Sequence, residues 1–590
     1  MADAPSPSGE ALAPGGSMAY VWLLTLVAAL GGLLFGYDTA VISGAIGFLT
    51  TRFSLDQTWE GFAAACALAG CALGAGSAGF LNDRLGRKRV LILSAVMFFV
   101  SALGTALPRN LAEFIFFRFL GGIGIGAASI TSPMYIAEIA PFRVRGRMVS
   151  VNQFAIVTGI SVVFFVNYFI AAYGAAQDRR VVQRYVAEHG PAVSAEAVRQ
   201  FLEKEFVGPG ELAGPYVAYR LDQYEQQAYQ RQATGQRISR QTLKAQAKAD
   251  ARRAIDEFLA GRLEVPSSRD VADFVARLTE NRVAIDPTAV NLLHQGVPSW
   301  NAVRGWRWMF GSEVLPSVVF LVLLCFVPES PRWLTRQNRR QEALTILTRV
   351  DGPAYAQEEL RMIEQTIAQE SGSLGQLFAP GMRRVLAIGV ALAILQQVTG
   401  INVFLYFAPK IFTSSGSGVE AALLQTVVVG AVNVTFTVVA IGVVDRLGRK
   451  PLMILGAAGM GVALVAVGFA FYFRTVGLWV LGFMLGYIAC FAMSVGPVTW
   501  VILSEIYPTH LRGRAMGLAT VCLWLANFLV TQTFPMMNDN DRLVDQFHHA
   551  FPFWFYAGFC LVLVWLVWRA VPETKGKSLE EIERGWRQAP

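Results

Sequence analysis

Charge is what this chain has least of. Only 16% of its 590 residues are Asp, Glu, Lys or Arg, where a soluble globular chain carries about 25%. With 54% hydrophobic residues and a mean hydropathy of +0.44, that shortage argues against a water-soluble protein and for a membrane one. Cysteine is scarce too. Cys66, Cys71, Cys325, Cys490, Cys522 and Cys560 all fall inside apolar stretches and none forms a CxxC pair, so neither a disulfide framework nor a zinc site is expected. There is no Walker loop, no HExxH and no pattern of nucleophile plus base, which argues against an enzyme and gives no reason to expect a cofactor. His189, His294, His510, His548 and His549 have no metal-ligand spacing beyond one adjacent pair. Residues 1–17 hold no Lys or Arg and read as a disordered tail, because a signal peptide wants a basic start.

What is abundant is long apolar stretches. Twelve can be counted, at about 19–49, 60–81, 89–107, 112–137, 148–173, 307–327, 384–412, 421–444, 451–473, 477–503, 513–534 and 551–571. Each is long enough to cross a bilayer as a helix, so the fold class expected is an all-α membrane protein. The net charge of +8 does not call for nucleic acid, because the bases gather in short loops between spans. Arg84, Arg87, Lys88, Arg89, Arg143, Arg145 and Arg147 follow spans two and four; Arg446, Arg449, Lys450, Arg512 and Arg514 follow spans eight and ten. The opposite short loops carry little (Arg52, Arg109, Lys410 and Arg474), which places the first set and both termini in the cytoplasm.

The chain also repeats itself. Asp83-Arg84-Leu85-Gly86-Arg87-Lys88 recurs as Asp445-Arg446-Leu447-Gly448-Arg449-Lys450. Glu138-Ile139-Ala140-Pro141 with Arg145-Gly146-Arg147 recurs as Glu505-Ile506-Tyr507-Pro508 with Arg512-Gly513-Arg514, and Pro328-Glu329-Ser330 as Pro572-Glu573-Thr574. Six spans duplicated in the same orientation are the architecture of major facilitator transporters. The expected division is a tail (1–17), a first bundle of five helices (18–173), an insertion (174–305), helix six (306–328), cytoplasmic linker helices (329–383), a second bundle (384–575) and a cytoplasmic tail (576–590). The insertion holds 18 Lys or Arg against 16 Asp or Glu, so it has no preference for a polyanion. Its apolar spacing looks helical and it is far too long for a turn, which makes it a small extramembrane domain. A partner for it is not named by the sequence.

Two groups of polar residues lie at membrane depth. Gln396, Gln397, Asn402 and Tyr406 occur within eleven residues of span seven, where hydrocarbon would penalise each of them. They face either a neighbouring helix as hydrogen-bond glue or a wet cavity holding a hydroxyl-rich ligand. Gly400 lets the helix loosen between them. Asp38 in span one and Arg118 in span four are the other group; a carboxylate there must be paired or protonated.

With these residues in hand, the chain resembles the sugar porter family of the major facilitator superfamily, and within it the bacterial xylose–proton symporters. The likeness covers residues 18–173 and 300–585. Its motifs are Gly79 to Lys88; Pro133-Met134-Tyr135-Ile136-Ala137-Glu138; Pro328-Glu329-Ser330-Pro331-Arg332-Trp333-Leu334; the Gln396–Asn402 block; Gly496-Pro497-Val498-Thr499-Trp500; and Pro572-Glu573-Thr574-Lys575-Gly576. The resemblance implies sugar contacts for Gln396, Gln397 and Asn402, with Tyr406 closing the pocket from outside. It adds polar contacts from Gln153 and Asn433, apolar faces from Trp500 and Trp524, and Phe35 on the side of span one. A pyranose, with C–H faces and a rim of hydroxyls, suits aromatic planes and amide forks. Leu523 and Ile160 stand where those symporters have glutamines, and the 174–300 segment departs from the family.

The resemblance also makes Asp38 the proton acceptor and Arg118 its partner, against the alternative of a static buried pair. Asp83, Arg87, Glu138 and Arg147, with Asp445, Arg449, Glu505 and Arg514, read as a salt-bridged cytoplasmic gate, because acids among the bases are not needed for orientation alone. The function expected is proton-coupled symport of a monosaccharide by alternating access. The alternatives are a facilitative sugar carrier and a transporter-like sugar sensor.

Overall fold

The structure is a computed structural model that describes residues 16–189, 300–369, 374–415, 417–475, 477–507, 511–573 and 575. Most of the expected insertion, both expected tails and residues 508–510, just before the second Arg-Gly-Arg motif, therefore fall wholly or largely outside the described residues. Twelve of the described helices are long and apolar enough to cross a membrane. We number them α1 (Met18–Phe53), α2 (Gln57–Leu85), α3 (Arg87–Ala106), α4 (Leu111–Ile139), α5 (Arg145–His189), α6 (Asn301–Phe326), α7 (Met382–Tyr406), α8 (Val419–Leu447), α9 (Arg449–Tyr472), α10 (Trp479–Ile506), α11 (Arg512–Asn538) and α12 (Phe551–Ala570). Among the described residues there is no strand. This is what an apolar chain in lipid must do, since only a helix satisfies its own backbone.

Helices α1–α6 form one half and α7–α12 the other, each packed mainly on itself, with α2 running along α11 and α5 along α8 at the junction. Close approach is bought with glycine inside the first half. Gly70 and Gly74 of α2 face the α4 backbone, and Gly122 and Gly126 of α4 face the α2 backbone; a Cβ at any of the four would collide with main chain.

The duplicated motif has one shape in both halves. Gly86 (φ +93°) and Gly448 (φ +89°) turn α2 into α3 and α8 into α9 in a conformation that favours glycine. A carboxylate then caps the new helix. Glu329 Oε1 accepts from the backbone N–H of Arg87 (2.9 Å) and Lys88 (3.1 Å). Glu573 accepts from the N–H of Arg449 (3.2 Å) and Lys450 (3.0 Å). Negative charge at a helix N-terminus is favourable and satisfies orphan donors. The Pro-Glu-Ser and Pro-Glu-Thr echo in the sequence is thus the mark of two equivalent helix caps.

Between the halves, helices 331–336, 340–351 and 353–369 pack on Trp333, Leu334, Ala343, Leu347, Ala356 and Leu360. They are moored to the first half by Arg336–Asp83 (2.8 Å) and Arg145–Glu359 (3.0 Å). The N–H of Ser17, which caps α1, donates to the carbonyl of Arg349.

Helix α5 does not stop where the insertion was expected to begin at 174, but continues to His189. The chain returns close beside it. The N–H of Trp300 donates to Asp178 Oδ1 (2.9 Å), and Asn301 Nδ2 donates to the Ala171 carbonyl (2.9 Å).

Candidate functional site

Helix α7 is broken where the amides lie. Its first part ends at Val398, Gly400 takes φ +95°, and a short helix restarts over Ile401–Tyr406. Across that break Asn402 Nδ2 donates to Gln397 Oε1. Gln396 points the other way. Its Nε2 donates to the carbonyls of Gly496 (3.0 Å) and Val495 (3.3 Å) on α10, while its Oε1 is buried without a hydrogen-bond partner. Those two carbonyls lie where α10 widens into a π-turn over Phe491–Val495, just before Pro497, whose missing N–H disturbs the ladder. Gly496-Pro497 therefore loosens α10 without ending it.

Two aromatic rings meet across the halves. Trp524 on α11 is buried and meets Phe35 on α1 with ring centroids 5.4 Å apart. Its Nε1 has no hydrogen-bond partner. Buried polar atoms are normally satisfied, so an orphan donor on Trp524 and an orphan acceptor on Gln396 are what a hydroxylated ligand would complete. Tyr406 is buried with its hydroxyl toward Asn527 of α11 and Thr39 of α1. Asn433 is buried on α8 and Gln153 half-buried on α5, the two helices that pack across the junction. Trp500 is half-buried on α10. Among the described residues no hydrogen bond ties the side chains of Gln153 or Asn433 to the amide pair. Leu523 and Ile160 are buried apolar residues.

The charged cluster lies within the first half. Arg118 NH1 pairs with Asp38 Oδ1 and donates to the Asp38 carbonyl (3.1 Å). The guanidinium also sits over the Phe310 ring, 5.4 Å from its centroid. Glu313 of α6 faces Asp38, and sequence reasoning missed it. All three residues are 1% exposed. Asp38 Oδ2 and Glu313 Oε1 are buried without a hydrogen-bond partner. One guanidinium cannot balance two carboxylates, and a single added proton makes the triad neutral. Glu313 lies at a turn between Trp306–Gly311 and Val314–Phe326, where Pro316 leaves the Ser312 carbonyl without its helical donor. A lone acid in an apolar span was the signal that singled out Asp38, and it applies equally to Glu313.

At the end carrying the repeated motifs, Arg87 grips both oxygens of Glu138 (2.9 Å each), and Ser330 Oγ adds a third bond at 2.5 Å. In the second half Arg449 reaches Glu505 Oε1 at 3.2 Å, and Glu505 Oε2 has no hydrogen-bond partner. These two pairs each stay inside one half. Asp83 pairs with Arg336 of the linker, with Arg87 more distant at 3.9 Å. The Asp445 side chain lies outside the described residues. Arg147 and Arg514 begin α5 and α11 at this same end.

The family model for "Sugar (and other) transporter" matches residues 24–184 and 291–586. The chain belongs to that family. The stretch left unmatched, 185–290, falls within the insertion. The chain is 37% identical to the D-xylose-proton symporter of Escherichia coli K12 over 593 aligned residues, covering 96% of each. It is 36% identical to the arabinose-proton symporter of Bacillus subtilis (97% and 96% covered) and 33% to the glucose facilitated diffusion protein of Zymomonas mobilis (97% and 98%). Among solved structures it matches the partially occluded, inward-open xylose transporter XylE of E. coli with TM-score 0.66 and 34% identity, covering 95% of this chain and 100% of that one. The proton:xylose symporter XylE bound to 6-bromo-6-deoxy-D-glucose matches with TM-score 0.66 and 36% identity, at 96% and 99% coverage.

Proposed function

We propose that this family member is a proton-coupled monosaccharide symporter working by alternating access. It sits in a bacterial inner membrane, with the basic motifs and both termini on the cytoplasmic side. One observation carries the coupling: a single turn of α1 bears Phe35 against Trp524, Thr39 toward Tyr406, and Asp38 in the buried charge triad. Sugar held between Phe35, Trp524 and the α7 amides bears on the same turn that holds the proton site. Gln397, Asn402 and Gln396 Oε1 bind hydroxyls, Trp524 and Trp500 cover the apolar faces, and Gln153 and Asn433 approach from α5 and α8. Protonation neutralises the triad and frees α1 to move. The Arg87–Glu138 and Arg449–Glu505 pairs brace the cytoplasmic end.

The test is reconstitution in proteoliposomes with xylose, arabinose, glucose and galactose. Adding the transported sugar outside should alkalinise the exterior. Asp38→Asn should end uphill accumulation while leaving sugar exchange. Sugar flux with no proton movement would instead establish a facilitative carrier, the reading that the Zymomonas relative favours.

A further inference from the structure

The end remote from the arginine motifs is fastened by charge. Lys410, just beyond the broken α7, places Nζ 2.6 and 2.7 Å from the two carboxylate oxygens of Glu60 on α2. The same Nζ lies 2.7 Å from Asp539 Oδ2 at the end of α11. Glu60 is 4% exposed and belongs to the first half; Lys410 and Asp539 belong to the second. Neutral bonds flank the ions. The Gln57 side chain donates to the Asp539 carbonyl, and Gln532 Nε2 donates to the Thr58 carbonyl at 2.9 Å. Gly61 lies directly against the Gln532 carbonyl, where a Cβ would not fit. Asn538 Nδ2 satisfies the other oxygen of Asp539 at 2.6 Å. Burial alone would lower the Lys410 pKa, but Glu60 and Asp539 outweigh it and hold the ammonium above its ordinary value.

We propose that Glu60, Lys410 and Asp539 form an ionic latch between the halves, which holds the outer mouth shut and opens each time the carrier turns outward. The proposal rests on the alternating-access reading. Its chemistry suits a latch that must open often. A buried ion stranded without its partner is heavily penalised, which would freeze a simple buried pair. Here Lys410 keeps Asp539, from its own half, when the halves part. Glu60 alone changes partner, and the mouth that opens beside it brings water to take over. No sugar contact is asked of any of the three, so their charge acts on the balance between states.

Hydrogen–deuterium exchange on the full chain in lipid nanodiscs tests this, comparing the parent with Lys410→Ala, Glu60→Gln and Lys410→Arg. Breaking the latch should speed amide exchange about ten-fold in the outer turns of α2, α7 and α11, and slow it at the cytoplasmic ends of α4 and α10, because one end closes as the other opens. Lys410→Arg should match the parent. Unchanged exchange at the outer end, or faster exchange at both ends, overturns the latch. Should Lys410→Ala fail to fold, Glu60→Gln, which keeps the side chain's shape, carries the test. If the reciprocal pattern appears in a protein whose parent moves no sugar, the latch stands and the transport reading falls.

Discussion

Two polar clusters, one centred on Asp38 of α1 and the other on the break in α7, are built on opposite plans. The Asp38–Arg118–Glu313 cluster is charged, lies wholly in the first half, and lacks one proton for balance. The Gln396–Gln397–Asn402 cluster is neutral, reaches the α10 carbonyls within the second half, and keeps an unpaired acceptor. A neutral amide left waiting costs far less than a charge left waiting. On the proposed function, the site that must empty and refill with sugar uses amides and rings, and the site that must hold and release a proton uses a compact charge group within one half. The difference teaches that the partner each cluster exchanges dictates its chemistry.

Breaking the charged cluster should have the largest effect. Arg118→Ala leaves two buried carboxyls without a cation, a change worth about 3–5 kcal/mol. The expected result is a sharp fall in yield and thermal midpoint in detergent, partly restored at acid pH, where both carboxyls take up protons. A midpoint equal to the parent's at neutral pH would show that the triad is not buried as a unit. Glu313→Gln sharpens the comparison instead. It leaves one guanidinium facing one carboxylate, balanced without a proton. Sugar-driven proton uptake and uphill accumulation should disappear while counterflow of labelled sugar continues. Accumulation at the parent level would remove Glu313 from the proton path. The smallest effect belongs to the amides. Gln397→Ala removes one neutral hydrogen-bonding group and should weaken sugar binding about 5- to 100-fold, equivalent to about 1–3 kcal/mol, with the thermal midpoint little changed. Unchanged sugar affinity by calorimetry would move the site away from α7.

Much of this arrangement was legible in the residues. Twelve spans stood out because a helix that crosses lipid needs a long apolar run, and the duplicated arginine motifs announced two matched halves. Asp38 and Gln397 were found because polar atoms in hydrocarbon are expensive wherever they occur. Glu313 obeys the same rule and lies midway along α6, but it falls early in the apolar stretch counted from 307, close behind Trp306-Arg307-Trp308. Lys410 looked like a stray loop charge, since nothing in the chain announces that Glu60 and Asp539, so far away along it, converge on its ammonium. Gln396 was readable as a polar group, while its grip on the α10 carbonyls depends on a π-turn that local sequence does not encode.

The meeting of α5 with α6 has a practical corollary. Asp178 and the Trp300 backbone stand one hydrogen bond apart, and Ala171 and Asn301 repeat the tie a turn or two below. These two bonds join α5 to α6 directly, so shortening the stretch between them is expected to leave the thermal midpoint in detergent close to the parent's, and a large fall would show that the seam needs more than these ties.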